Sequence, residues 1–256
     1  MVSGNVVPLR TAPAHAFGQC ANCCLLTWGQ SIGLNPIQLA TLDALSNHSR
    51  FIVRGEYLDH AGSARKYLHI IKSGCFKSST GNNGGLEHIT AFLLPGDWIG
   101  LDGVGSNRSE SHIAAIQCSS VCAVSLSKFE QLCSDIPRLQ HGFHQLLSKE
   151  ITRDYGLMLL LAGMRAEERV TFFLLNLSAR FKARGYAKNH FELPMTNVDI
   201  SSHLAIRNET LSRVFAKLTK DGLIAVNGRL VEVRDVEGML SAAENGAPFC
   251  TFNRML

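Results

Sequence analysis

Polar and apolar positions along residues 1–30 show no regular period, and the stretch reads as loop. From 34 to 46, "LNPIQLATLDALS" sets Leu34, Ile37, Leu42 and Leu45 at helical spacing, which predicts a short helix. Residues 50–135 change character: apolar runs such as "YLHIIKSG", "HITAFLL" and "VCAVSL" alternate with Gly-rich breaks, "SGC", "GNNGG" and "LPGDWIGLDGVGS". Many short strands joined by such turns predict a β-sandwich or barrel. "GNNGG" is the natural hairpin tip, because Asn and Gly tolerate positive φ.

The pattern switches again near Pro137, after which a long proline-free stretch to Arg165 reads as one helix. Within it Leu147, Ile151, Asp154, Met158, Leu161 and Arg165 step by 4, 3, 4, 3 and 4 residues. That heptad seam is the spacing for two helices packed side by side, with a core helix against its own domain as the alternative. A carboxylate at Asp154 would face its own copy across a two-fold axis and oppose pairing. A second amphipathic helix is expected over about 167–184, "EERVTFFLLNLSARFKAR".

Residues 195–224, "MTNVDISSHLAIRNETLSRVFAKLTKDGLI", hold two short helical patterns joined at Leu204-Ala205-Ile206. The first carries Val198, Ile200 and Leu204 behind a Thr196 N-cap; the second carries Leu211, Val214, Phe215 and Leu218 on one face. The join leaves room only for a tight turn, which is helix-turn-helix geometry. "LIAVNGRLVEV" then reads as a hairpin around Asn227-Gly228, completing a winged helix. On the polar face of the second helix, Arg213 matches guanine O6 and N7, Glu209 accepts from cytosine N4, and Ser212 suits either kind of base. A plain Glu–Arg surface pair is the alternative. Thr196, Arg207, Thr210, Lys217 and Arg229 are candidates for phosphate contacts, which fix register without reading sequence.

Composition narrows this picture. A chain of 256 residues with 46% hydrophobic content fits two globular domains. No apolar run reaches about 18 residues, so no membrane span is expected. The first 15 residues lack the apolar core of a secretory signal, which makes the reducing cytoplasm the expected compartment. There the eight cysteines are expected as thiols or metal ligands rather than disulfides. A net charge of +4 permits nucleic-acid binding without demanding it. The chain has no His-rich metal motif, G-x-S-x-G elbow or P-loop, so it is not expected to be an enzyme. "FGQCANCCLLTWG" brings Cys20, Cys23 and Cys24 within five residues, a constellation suited to a soft metal or to thiol redox chemistry.

The order of these parts resembles the CRP/FNR family of bacterial transcription regulators, over roughly residues 18–238. The most specific pieces are "GDWIGLDGVGS", "AEERVTFFLLNLSARF" and "ETLSR". The resemblance implies an α+β chain: a cysteine-bearing segment over 1–30 and a cyclic-nucleotide-binding-like β-roll over 31–136. A dimerisation helix over 137–165, a winged helix over 166–238 and a loose tail over 239–256 complete it. It further implies a homodimer on double-stranded DNA, with RNA polymerase as partner. The Gly81–Gly85 stretch reads most simply as a turn, with a polymerase contact as the alternative, since loops often carry such surfaces. The dimer face would comprise Leu147, Ile151, Asp154, Met158 and Leu161.

The closest likeness is to the FNR branch, which senses oxygen through a cysteine-ligated iron–sulfur cluster. In that branch E-x-x-S-R reads a TTGAT-type half-site, and here it falls on Glu209, Ser212 and Arg213. The usual ligands follow C-x2-C-x5-C plus a distant cysteine. Cys20 and Cys23 match the first two and Cys122 the distant one; the third position is Gly29, with Cys24 the available substitute for a 4Fe–4S set. A cluster-free thiol switch, zinc, or a site no longer used for sensing are the other readings. Cyclic-AMP-binding relatives place an Arg-Ser or Arg-Thr pair after an acidic Gly-Glu segment. Here Arg108-Ser109 precedes "ESH" and the Gly-Glu is Gly96-Asp97, so nucleotide binding is expected to be lost.

Overall fold

The structure, a computed structural model, describes residues 24–81, 87–187 and 189–244. The chain divides inside one long helix: among the described residues, those up to Lys149 form one compact unit and those from Glu150 a second.

The first unit opens with two helices, α1 (Cys24–Ser31) and α2 (Pro36–Asp43). Eight strands follow: β1 (Ser46–Ile52), β2 (Tyr57–Asp59), β3 (Tyr67–Ser73), β4 (Phe76–Thr80), β5 (His88–Leu93), β6 (Trp98–Ile99), β7 (His112–Ala115) and β8 (Ser119–Ser125). Then come α3 (Leu126–Asp135) and the start of α4 (Pro137–Gly163). The strands form two antiparallel four-stranded sheets, ordered β1-β8-β3-β6 and β2-β7-β4-β5. Period-2 alternation explains why the β3 sequence is apolar on both faces. Leu68 and Ile70 point to a helical layer built on Leu25, Phe129 and Leu139, while Ile71 points between the sheets toward Phe76 and Val121.

Residues 24–31, read as loop from the sequence, are helical. Leu25 is fully buried and Trp28 packs edge-on to Trp98 at 5.0 Å, so tertiary burial rather than local periodicity fixes α1. α2 begins where Asn35 and Gln38 cap each other reciprocally, with Pro36 in the first turn. Ile37, assigned to its apolar face, points to solvent instead.

His69, on the inner face of β3, is buried with Nδ1 lacking a hydrogen-bond partner, 4.0 Å from Asp59 Oδ2. Burial lowers its pKa to about 4, only partly offset by Asp59. The folded value lies below the unfolded one, so the unfolded chain binds the extra proton in between. Stability is therefore full above about pH 6.5 and falls as pH drops toward 4, by about 3 kcal/mol in total. Urea midpoints at pH 7 and pH 4.5 should converge for His69→Leu relative to wild type; equal acid sensitivity in both would refute this.

The second unit contains the rest of α4, then α5 (Ala166–Ala183), β9 (His190–Glu192), α6 (Asn197–His203), α7 (Asn208–Lys220), β10 (Ile224–Asn227), β11 (Leu230–Val233) and α8 (Val236–Glu244). β10, β11 and β9 form an antiparallel sheet in that order. Asn227 pairs with Leu230, so the two-residue turn is Gly228-Arg229, one residue later than the sequence suggested. Gly228 has φ 61° and Arg229 does not have positive φ, the pattern of a II′ turn. Residues 239–244, expected within the tail, continue α8, and Met239 is fully buried.

Candidate nucleic-acid interface and cysteine site

α6 starts where the Thr196 hydroxyl accepts from Asp199 N at 3.1 Å, while Thr196 N donates to Asp199 Oδ2 at 3.0 Å. Ile200 and Leu204 are buried, whereas Val198, expected on the same apolar face, is exposed. The turn bends at Ala205, φ 51°, a left-handed conformation that costs an L-residue roughly 1–2 kcal/mol. α7 then buries Leu211, Val214 and Leu218, at i, i+3 and i+7. That stripe turns Glu209, Ser212 and Arg213 outward together, all exposed. Arg213 Nη2 donates to Thr210 Oγ1 at 3.3 Å rather than to Glu209, so the surface-pair alternative is not what forms.

The candidate phosphate contacts divide. Arg207 is exposed at the N-cap of α7. Lys217 Nζ is held by both carboxylate oxygens of Glu167, at 2.6 and 2.7 Å, which raises its pKa. Arg229 donates to Pro194 O at 2.7 Å, and the Thr196 hydroxyl is occupied as a cap. Sequence reasoning missed Arg169. Its guanidinium donates to Met164 O at 2.9 Å, Leu161 O at 2.8 Å and Leu204 O at 3.0 Å. One side chain thus satisfies carbonyls at the end of α4 and ties them to the helix-turn-helix bend.

On α4, Ile151, Tyr155, Met158 and Leu159 are each more than half exposed, and Asp154 is exposed among them. Leu147 and Leu161, expected on the same seam, are half-buried, so the outward stripe runs through Tyr155 and Leu159 instead.

Cys20 and Cys23 lie outside the described residues, as does most of the Gly81–Gly85 turn. Cys24 is the first residue of α1 and is half-buried. Cys122 is buried in β8, opposite Ser49 of β1 and Ile70 of β3. Cys75 and Cys133 are core residues; burial, helped by Glu130, pushes the Cys133 thiol up to about 11, which keeps it protonated. Among the described residues no group of three or more His, Cys, Asp or Glu is gathered for a metal ion.

Gly29 has a packing reason to be glycine. A Cβ there would lie 2.8 Å from Leu39 Cδ2 and 3.1 Å from Leu42 Cδ2, where α1 meets α2. A side chain at position 29 would press on these leucine ends, which would have to shift to admit it. Gly29→Cys should therefore cost about 1–2 kcal/mol of stability, overpacking being partly offset by loss of a helical glycine. Thermal unfolding with iron analysis tests this; more iron bound per protomer in the variant would show that position 29 ligates after all.

Comparison with known proteins agrees with this architecture. Residues 49–135 match the cyclic nucleotide-binding domain, and residues 168–242 match the Crp-like helix-turn-helix domain. The transcriptional activator protein Anr of Pseudomonas protegens is 33% identical over 87% of this chain and 91% of its own length. The fumarate and nitrate reduction regulatory protein of Salmonella typhimurium is 34% identical over 88% of this chain and 90% of its own. The structure of FixK2 from Bradyrhizobium japonicum superposes with a TM-score of 0.73 at 25% identity, covering 79% of this chain and 99% of that one. The chain belongs to the CRP/FNR family and is a DNA-binding transcription regulator rather than an enzyme. No helix among the described residues is long and apolar enough to cross a membrane.

Proposed function

We propose that this chain is a homodimeric regulator that reads TTGAT-type inverted repeats and answers to oxygen or redox state through its N-terminal thiols. The outward row Glu209, Ser212 and Arg213 on α7 carries the reading, because it offers an acceptor, a hydroxyl and a guanidinium fork on one face of an exposed recognition helix. Arg207, at the start of the same helix, supplies a phosphate contact that fixes register. The apolar stripe on α4 pairs two copies, and two helices so joined set half-sites about one helical turn apart. The Asp154 carboxylates on that stripe oppose pairing and make the dimer adjustable.

Cys20, Cys23, Cys24 and Cys122 would hold a 4Fe–4S group; soft thiolates are its usual ligands. When bound, it would supply an oxygen-labile bridge between the N-terminal segment and β8. Cys122 offers its sulfur from a strand locked on both sides, and Cys24 from the first turn of a helix pinned by Leu25 and Trp28. The relatives' names, "Anaerobic regulatory protein" from Haemophilus influenzae and "Transcriptional activator protein Anr" among them, support control by oxygen supply and an activating role, with RNA polymerase the expected partner. Glycine rather than cysteine at position 29 favours one alternative, a cluster-free thiol switch on the same cysteines.

Mobility shifts on a TTGAT–N4–ATCAA duplex with protein purified without air, together with iron and sulfide analysis, test the reading. We expect a specific shift that weakens on exposure to air, and about four iron and four sulfide per protomer. Equal affinity for a scrambled duplex would overturn the DNA assignment. Air-sensitive binding without iron would replace the cluster by the thiol switch.

A further inference from the structure

Arg65, between β2 and β3, is only 6% exposed, yet its charge lies inside the roll. Nη1 meets Asp59 Oδ2 at 2.5 Å; Nη2 meets Ser109 Oγ at 2.6 Å and Asp102 Oδ1 at 3.4 Å. The Gly100–Ser111 loop is folded round this guanidinium. A Cβ on Gly100, where φ is 100°, would come within 2.8 Å of Nη1; one on Gly103 would come within 3.0 Å of Nε and closer still to the Arg108 carbonyl oxygen, so glycine suits both positions. Nε is buried against Gly103 with no hydrogen-bond partner. The loop is stitched down beside it: Arg65 N donates to Asn107 O at 2.8 Å, Ser109 Oγ to Ser111 O at 2.9 Å, and Glu110 N to Asp102 Oδ2 at 3.2 Å. Asn107 takes a positive φ of 55° to allow this course.

The chemistry is that of a cation site. Two carboxylates and a hydroxyl converge on one planar cation, whose forked donors suit them better than an ammonium would. Arg108, the arginine of the loop itself, is exposed. A domain matching the cyclic nucleotide-binding family therefore presents two acids to any incoming phosphate, with the neighbouring buried cation already spent on them.

We propose that Asp59, Asp102 and Ser109 form a guanidinium-binding site that Arg65 fills in cis, so that the roll carries its own permanent occupant in place of a diffusible effector. None of these groups touches the N-terminal thiols' role in the proposed switch. Shortening Arg65 should empty the site and open it to a small guanidinium.

The full-length Arg65→Ala variant tests this by thermal unfolding with ethylguanidinium at sub-denaturing concentration. We expect a clearly lowered midpoint, of which ethylguanidinium restores roughly half or more in a saturable manner. Ethylammonium at equal ionic strength should restore little, and wild type should respond to neither. Wild-type stability in the variant, or equal rescue by both cations, would overturn the proposal, as would binding of cyclic AMP to wild type by calorimetry. Should Arg65→Ala not fold, Arg65→Lys keeps the charge but loses the fork. Its amides from Gly103 to Ser111 should exchange at least roughly tenfold faster than in wild type; unchanged protection would equally sink the idea.

Discussion

Replacing Arg169 by alanine is expected to destabilise the DNA-binding unit by about 3 kcal/mol or more. Three carbonyls, Leu161 O, Met164 O and Leu204 O, accept from one guanidinium. A hydrogen bond to a charged group contributes about 1.5–3 kcal/mol, and the carbonyls left behind lose their partner where water reaches them poorly. The loss is discounted from a simple sum because Arg169 is only half-buried and water can replace part of it. For a unit of this size the melting temperature should fall by on the order of 10 °C. The folded remainder should also bind DNA less tightly, because Leu204 begins the turn that sets α7 against α6. Arg169→Lys, with a point charge in place of the fork, should recover only part of the stability. Unfolding by circular dichroism and mobility shift on the same samples check both effects; a variant with wild-type melting and affinity would remove Arg169 from this role.

Arg169 also shows where sequence reading stops. The α7 stripe was legible because Leu211, Val214 and Leu218 repeat within one element, and local periodicity reports which face is buried. The roll was legible from turn chemistry, since Gly and Asn mark the ends of short strands whatever their tertiary partners. Arg169 gave no such signal: its acceptors lie 5, 8 and 35 residues away, on two separate pieces of backbone. The pairing of Lys217 with Glu167 spans 50 residues and was invisible for the same reason. α1 escaped notice because eight residues holding Cys24 and Gly29 carry little helical preference, and burial of Leu25 and Trp28 supplies the rest. Gly29 itself stood out as a missing ligand; only the approach of Leu39 and Leu42 shows why glycine suits the position.

Glu209→Ala and Arg213→Ala are expected to cut sharply the discrimination between TTGAT-type and scrambled duplexes while leaving folding intact. Both side chains are exposed on α7, so the core of Leu211, Val214 and Leu218 is untouched by either change. A good base contact discriminates by about 1–3 kcal/mol, and a dimer on an inverted repeat uses each contact twice. Each variant should therefore lose about 2–6 kcal/mol of specific binding, roughly 30-fold to 10⁴-fold, with little change on scrambled DNA. Arg213 gives up only a 3.3 Å bond to Thr210 when it turns to a base, so little is lost in freeing it. Arg207→Ala should behave differently: affinity falls on all sequences alike, and the salt slope drops by about one per half-site. Lys217→Ala should change less than Arg207→Ala, because Glu167 already neutralises that charge. By the same logic Glu167→Gln should strengthen non-specific binding by releasing Lys217. Fluorescence anisotropy on both duplexes across a salt series separates these classes. If Arg213→Ala weakened binding equally on both duplexes, Arg213 would be a phosphate contact and α7 would not read sequence through it.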